Sequence, residues 1–229
     1  TLKHHIQKLG NSFGFHQLKV YNDDLYLIGG AGFYSVWKYI KEREHEWSPY
    51  WETHKYDNTP YYDYIIKDGV EIAGTGISPF LRTSGGSIKG DFDGSIYALA
   101  VYKGDIYAGG KFKNIDGKSI RGIAKWNGSG WEALGDGIDG SVARLTVYKD
   151  KLVVLGKYDK SGSQTLNNIA FWDGTKFEVT RAFRYQNREG WGLTSMNGML
   201  LWTDGSEKLR FVDPKDMSIQ RTVKVLSDL

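Results

Sequence analysis

Between Asp93 and Thr180 the chain says nearly the same thing twice, 46 residues apart. Asp93-Gly94-Ser95-Ile96 returns as Asp139-Gly140-Ser141-Val142, and Val101-Tyr102-Lys103 as Val147-Tyr148-Lys149. Ile123-Ala124-Lys125-Trp126-Asn127-Gly128 returns as Ile169-Ala170-Phe171-Trp172-Asp173-Gly174, and no gap is needed anywhere. A period near 46, written in short strand-like runs and Gly-rich turns, is the signature of a β-propeller blade. One blade cannot bury both of its faces, so neighbours must stack on it. A β-sandwich is the rival architecture, but its strands carry no such repeat.

The recurring unit is a strand, a bend and a second strand that ends in glycine. Its copies are Leu18 to Gly30, Tyr64 to Gly74, Leu99 to Gly110, Leu145 to Gly156 and Leu193 to Gly205. Apolar alternation with Asn, Asp, Lys or Gly at the bend is hairpin chemistry. The closing glycines are expected to supply positive φ and close backbone approach near the axis. Five copies predict an all-β chain: a single five-bladed β-propeller, with about four antiparallel strands per blade, forming one domain over 1–229. The blades fall near 15–57, 58–92, 93–138, 139–184 and 185–229. Strands three and four of the third blade are expected at Gly122 to Trp126 and Trp131 to Leu134, and those of the last at Lys208 to Val212 and Ile219 to Val225. Residues 2–9 could pair with Ile219 to Val225 and close the ring, or the ring could close without them.

Composition narrows the function. Aromatics make up 14% of the 229 residues, with 29 Gly and only 4 Pro, which suits many short strands and tight turns. Thirty Lys and Arg against 27 Asp and Glu leave a net charge of +3, too mild to imply nucleic acid. No cysteine is present, which excludes disulfides, cysteine nucleophiles and thiolate metal sites. No apolar run approaches the ~18 residues of a membrane-spanning helix, so no membrane partner is expected. The chain opens at Thr1 without a basic-then-apolar leader, so any signal peptide is expected to have been removed or never to have existed. A monomer with a shallow central channel, open to a small ligand or peptide, is the expected form.

Several clusters invite chemistry and are better read as structure. Asp91-Phe92-Asp93-Gly94 and Asp136-Gly137-Ile138-Asp139-Gly140 could offer oxygens to calcium, but neither has the full loop spacing. Both fall just before an inner strand, where blade-to-blade turns account for them. His4 and His5 would point to opposite strand faces, and His16, His45 and His54 are scattered, so no zinc site is expected. Trp126, Trp131, Trp172, Phe171 and Phe177 could form a sugar platform, yet matched positions in successive copies favour packing between blades. Trp37, Trp47, Trp51 and Tyr50 fall in a charged outer segment, where an exposed patch is conceivable. No phosphate loop, dinucleotide fingerprint or Gly-x-Ser-x-Gly occurs, and no cofactor or metal is expected.

Two resemblances add to this reading. Ile96 to Gly110, continuing through Ile123-Ala124-Lys125-Trp126-Asn127-Gly128-Ser129-Gly130-Trp131-Glu132-Ala133-Leu134-Gly135, resembles the repeats of cortical cell-polarity-marker and kelch-like propellers. That resemblance implies a binding or scaffolding surface. Glu189-Gly190-Trp191-Gly192-Leu193-Thr194, Asp204-Gly205-Ser206, Leu209 to Pro214 and Arg221 to Val225 resemble plant and bacterial glutaminyl cyclotransferases. Those enzymes are five-bladed propellers that close an N-terminal Gln into pyroglutamate. Their early Phe-Thr-Gln-Gly-Leu segment has no counterpart; the nearest text is Phe13-Gly14-Phe15-His16-Gln17-Leu18. The resemblance implies Glu189 as a proton shuttle between the α-amine and the departing ammonia, and Trp191 as an apolar wall for the substrate. The alternative is that Glu-Gly-Trp-Gly serves only packing. Two family flavours in adjacent copies suggest a recombined chain, natural or engineered. The leading expectation is therefore a non-enzymatic scaffold or binding module, with a glutaminyl-peptide cyclotransferase-like enzyme and a natural kelch-like module as alternatives.

Overall fold

The computed structural model describes residues 15–21, 24–29, 34–40, 46–52, 61–68, 70–75, 81–83, 89–166, 168–179, 192–196, 198–203, 208–213 and 215–224. Among them every regular element is a strand, and every pairing is antiparallel. The sheets follow one another along the chain, each from its own contiguous segment. The first holds β1 (Phe15–Tyr21), β2 (Asp24–Gly29), β3 (Tyr34–Ile40) and β4 (Glu46–Glu52) in that order. The second holds β5 (Tyr61–Lys67), β6 (Val70–Thr75) and β7 (Leu81–Thr83).

In the third, β8 (Ser95–Tyr102) and β9 (Asp105–Lys111) lead to a small lip of β10 (Asn114–Ile115) and β11 (Lys118–Ser119). The sheet resumes with β12 (Ile123–Trp126) and β13 (Trp131–Ala133). The fourth holds β14 (Asp139–Tyr148), β15 (Lys151–Ser161), β17 (Ile169–Trp172) and β18 (Phe177–Glu178), with β16 (Gln164–Thr165) folded onto β15. The fifth holds β19 (Gly192–Met196), β20 (Met199–Thr203), β21 (Lys208–Val212) and β22 (Ile219–Lys224).

Apolar side chains on facing sheets build successive cores, which is why a sheet of this kind needs neighbours. Ile65 and Ile72 of the second sheet meet Ile96, Leu99, Ile106 and Trp131 of the third. Ala98, Tyr107 and Leu134 of the third meet Val142, Leu145, Val154 and Trp172 of the fourth. Val153, Ile169 and Phe171 of the fourth meet Leu200, Val212 and Met217. The first strands of successive sheets run side by side, β5 beside β8, β8 beside β14, and β14 beside β19.

The repeated Tyr-Lys pair ties one sheet to the next. The Tyr102 hydroxyl donates to the Asp150 carbonyl at 2.8 Å, and the Tyr148 hydroxyl donates to the Gly198 carbonyl. Each tyrosine thus caps the hairpin bend of the following sheet. Those bends require positive φ: Lys103 and Gly104 have φ of 50° and 82°, and Lys149 and Asp150 have 44° and 58°.

Several expectations are corrected. The glycines that close the second strand, Gly74, Gly109, Gly110 and Gly156, do not take positive φ; they are there for close approach. A Cβ on Gly109 would lie 2.5 Å from Val142 Cγ1, and one on Gly110 2.0 Å from the Ser95 carbonyl oxygen. The third and fourth strands of the third sheet fall where the sequence places them, after the added lip of β10 and β11. Among the described residues the second sheet shows three strands and the fourth five. Two strand ends differ by one residue: β12 starts at Ile123, since Gly122 takes φ 68° at the entry turn, and β13 ends at Ala133, while Val225, the expected end of the last strand, lies outside the described residues.

Candidate functional site

The first strands of the first four sheets carry an irregularity at one fixed place. Pairing shifts between Phe15 and Gln17, Tyr61 and Asp63, Ile96 and Ala98, and Val142 and Arg144. The bulged residues are therefore His16, Tyr62, Tyr97 and Ala143. The residues just after them, Gln17, Asp63, Ala98 and Arg144, each stand four before the last pair of the hairpin, and Gly192 holds the same register in the fifth sheet. Because β5, β8, β14 and β19 are neighbours, these positions are brought to one level of the molecule. Bulges re-aim side chains and are frequent beside binding sites.

Two features at this level are chemically loaded. The rings of Tyr62 and Tyr97 meet edge to face with centroids 5.3 Å apart, and both side chains are half-buried. Asp63 is only 1% exposed. Its Oδ1 accepts from the Tyr64 N–H and its Oδ2 from the Leu99 N–H, both at 2.7 Å, so the carboxylate bridges β5 to β8. Burial pushes the Arg144 guanidinium down from its ordinary pKa, and the charge of Asp63 opposes that push. Arg144 Nη1 donates to the Ala143 carbonyl at 2.7 Å. The Asp63 carboxylate thus lies within electrostatic range of the Arg144 guanidinium.

The residues expected from sequence fare differently. Glu189 and Trp191 lie outside the described residues, as do Trp47 and Trp51 at the side-chain level; Gly192, next after Trp191, opens β19. His16 is on β1, while His4, His5, His45 and His54 lie outside the described residues. The Asp93 carboxylate accepts from the N–H groups of Lys113 and Asn114 and from Asn114 Nδ2. Slight burial pushes its carboxyl up, but those hydrogen bonds outweigh it and hold Asp93 below its ordinary value. Asp93 is a clamp on the β9–β10 connection. Asp139 does not share its setting: it is already in β14, paired with Lys160. Among the described residues no three His, Cys, Asp or Glu side chains gather as a metal site would need.

The aromatic residues considered for a sugar platform are packing residues. Trp126, Trp131, Trp172, Phe171 and Phe177 are all buried. Trp131 meets Phe92 at 5.2 Å and Trp126 at 5.5 Å, and Trp172 meets Phe177 at 4.8 Å.

Sequence reasoning missed Tyr62, Asp63, Tyr97 and Arg144. Only counting back from each hairpin bend would have aligned them, because the second copy is shorter than the others.

Comparison with known proteins bears on the same region. The family model for glutamine cyclotransferase matches residues 145–228, from within β14 to past β22. No curated protein sequence matches. Among solved structures the chain is similar to the WD40 β-propeller domain of Doa1, with a TM-score of 0.56 at 10% identity over 92% of this chain and 68% of that one. It is similar to the extracellular domain of a hybrid two-component system from B. thetaiotaomicron, with a TM-score of 0.58 at 11% identity over 92% of this chain and 28% of that one. It is also similar to the computationally designed Ika8 protein, with a TM-score of 0.54 at 12% identity over 91% of this chain and 74% of that one. The fold is propeller-like, all-β and antiparallel, and its last third carries a glutamine cyclotransferase match.

Proposed function

We propose that the chain is a five-bladed β-propeller acting as a glutaminyl-peptide cyclotransferase at the level of the inner-strand bulges. The observation that carries this reading is the glutamine cyclotransferase match over 145–228. It spans β19, the strand that Glu189 and Trp191 immediately precede. The five-blade count is supported by sheets whose strands fall within 15–57, 58–92, 93–138, 139–184 and 185–229.

In the reaction the substrate α-amine attacks the γ-carboxamide carbon. A C–N bond forms, the C–NH2 bond breaks, and ammonia leaves. Glu189 takes the proton that the amine loses and returns it to the leaving nitrogen. Trp191 supplies an apolar wall that keeps the glutamine side chain folded towards its own amine. Both roles follow the family resemblance. The reading takes the protein as a monomer with a short peptide at the axis, and with no metal, nucleic acid or membrane involved.

Ammonia release from a Gln-initiated dipeptide, with folding verified by near-UV circular dichroism, tests this directly. Turnover that is lost in Glu189→Gln is the expected result. Unchanged turnover in Glu189→Gln removes the shuttle role.

A second reading, a non-enzymatic and recombined scaffold of kelch-like character, is favoured by one observation. The buried carboxylate at the bulge level, Asp63, holds two backbone N–H groups, which is a structural use of an acid. A well-folded sample that releases no ammonia would leave this reading in place.

A further inference from the structure

Asn127 stands in an exposed turn whose hydrogen bonds surround its own side-chain amide. Its Oδ1 accepts from the Ser129 N–H at 2.9 Å, the Ser129 hydroxyl at 3.0 Å and the Gly130 N–H at 2.9 Å. Its Nδ2 donates to Glu132 Oε1 at 2.5 Å, which fixes the amide with its oxygen towards those donors. The fourth sheet shows what such a setting does to charge. There Asp173 Oδ1 accepts from the Thr175 N–H, the Thr175 hydroxyl and the Lys176 N–H at 2.7, 2.8 and 2.9 Å, and the carboxyl is pulled down to about 2. Three donors on one oxygen favour its negative form. Around an amide they favour the oxyanion that forms when a nucleophile adds to the carbonyl carbon.

A nucleophile is next in the chain. Gly128 is exposed, takes φ 97° and carries no side chain to screen its nitrogen. A Cβ built there would meet nothing within 4 Å, so solvent reaches it. Among the described residues its N–H enters no hydrogen bond; the side chain of Asn127 takes the next two N–H groups instead.

We propose that Asn127 is a self-modifying site, at which the Gly128 nitrogen attacks Asn127 Cγ and the folded turn accelerates loss of the side-chain amide. Hydroxide takes the Gly128 proton, a bond forms from that nitrogen to Cγ, and the negative charge moves onto Oδ1 among its three donors. The charge returns, the Cγ–Nδ2 bond breaks, and the nitrogen takes a proton from water and leaves as ammonia, which regenerates hydroxide. Water then opens the cyclic imide at either carbonyl, giving aspartate or isoaspartate at 127. The net charge of the chain falls by one. Nothing in this step depends on the glutaminyl reading above.

The test incubates the full chain at mildly alkaline pH, folded and in urea, and follows the amide-to-acid mass gain of the Asn127 peptide by mass spectrometry after digestion. Asn127 should convert faster in the folded chain than in urea, and faster as pH rises. Ser129→Ala removes one of the three donors and should slow the folded rate about two- to ten-fold, the range of one hydrogen bond, while leaving the urea rate unchanged. Ser129→Thr copies Thr175 of the fourth sheet and should keep the wild-type rate. A folded rate at or below the urea rate, or a folded rate indifferent to Ser129→Ala, overturns the proposal. If Ser129→Ala does not fold, the comparison of folded with urea-unfolded wild type decides it.

Discussion

Replacing Gly109 by alanine tests whether the third and fourth sheets are held at a distance set by one missing side chain. Gly109 is buried in β9 and does not take positive φ, so the substitution adds volume and no backbone strain. The new methyl would lie 2.5 Å from Val142 Cγ1, 3.1 Å from Val142 Cβ and 3.4 Å from Leu145 Cδ1. Overpacking of this kind costs about 1–3 kcal/mol. Restricting the unfolded chain returns about 0.4–1 kcal/mol, for a net loss of ~1–2 kcal/mol. Val142→Ala alone removes two buried methyl groups at a side chain that is 0% exposed, at about 2 kcal/mol.

In the double variant the clashing Cγ1 is gone and the alanine methyl fills part of the cavity. The combined loss should therefore be near ~2 kcal/mol, a coupling of roughly 1–2 kcal/mol against additivity. With an m-value of about 3 kcal/mol/M, urea midpoints resolve this as ~0.5 M. The equivalent contact one sheet earlier is an internal control. A Cβ on Gly74 would lie 2.8 Å from Ile96 Cγ2 and also 2.9 Å from the Ile96 carbonyl oxygen. Ile96→Ala removes the first obstacle and leaves the second, so Gly74→Ala should not be rescued. Additive effects at Gly109 and Val142, within about 0.5 kcal/mol, would refute the steric argument.

Two further outcomes are expected. Asp63→Asn turns one of the two acceptors into a donor that faces a backbone N–H, and it removes the anion that opposes desolvation of Arg144; a loss of about 2–4 kcal/mol in urea unfolding is expected, and a loss below ~0.5 kcal/mol would deny the bridge from β5 to β8. The exposed Asp173 carboxylate accepts from the Lys176 N–H, the Thr175 hydroxyl and the Thr175 N–H, which lower its pKa from 3.8 to about 2. A depressed carboxyl contributes stability that is present above its unfolded pKa and lost as pH falls through the folded one. The turn should therefore weaken between about pH 4 and pH 2, with the Asp173 carboxyl resonance titrating near 2. Asn127, its counterpart in the previous repeat, accepts from the Ser129 N–H, the Ser129 hydroxyl and the Gly130 N–H in the same way. Asp173→Asn should accordingly fold as well at pH 7 and lose the acid dependence, and a turn that unravels in that variant at pH 7 would contradict the equivalence.

The repeat was legible wherever the same residue performs the same contact in each copy. Tyr102 and Tyr148 cap successive bends, and Asn127 and Asp173 build the same turn, so matching letters report matching physics. The close approach at Gly109 was legible for the same reason, although its cause is contact with Val142 rather than backbone conformation.

The bulge level was illegible because the architecture fixes a position there and leaves the residue free. Gln17, Asp63, Ala98, Arg144 and Gly192 share one register and no chemistry. A blade needs only that the backbone shift at that place, and it can do so under Tyr62, Tyr97 or Ala143 alike. Side chains whose identity the pairing does not dictate are available to differ from copy to copy, and a binding site needs such differences. The most divergent level of a repeat fold is then the level at which to look for specificity. In this chain it is where a buried acid, a half-buried guanidinium and two tyrosine rings are brought together.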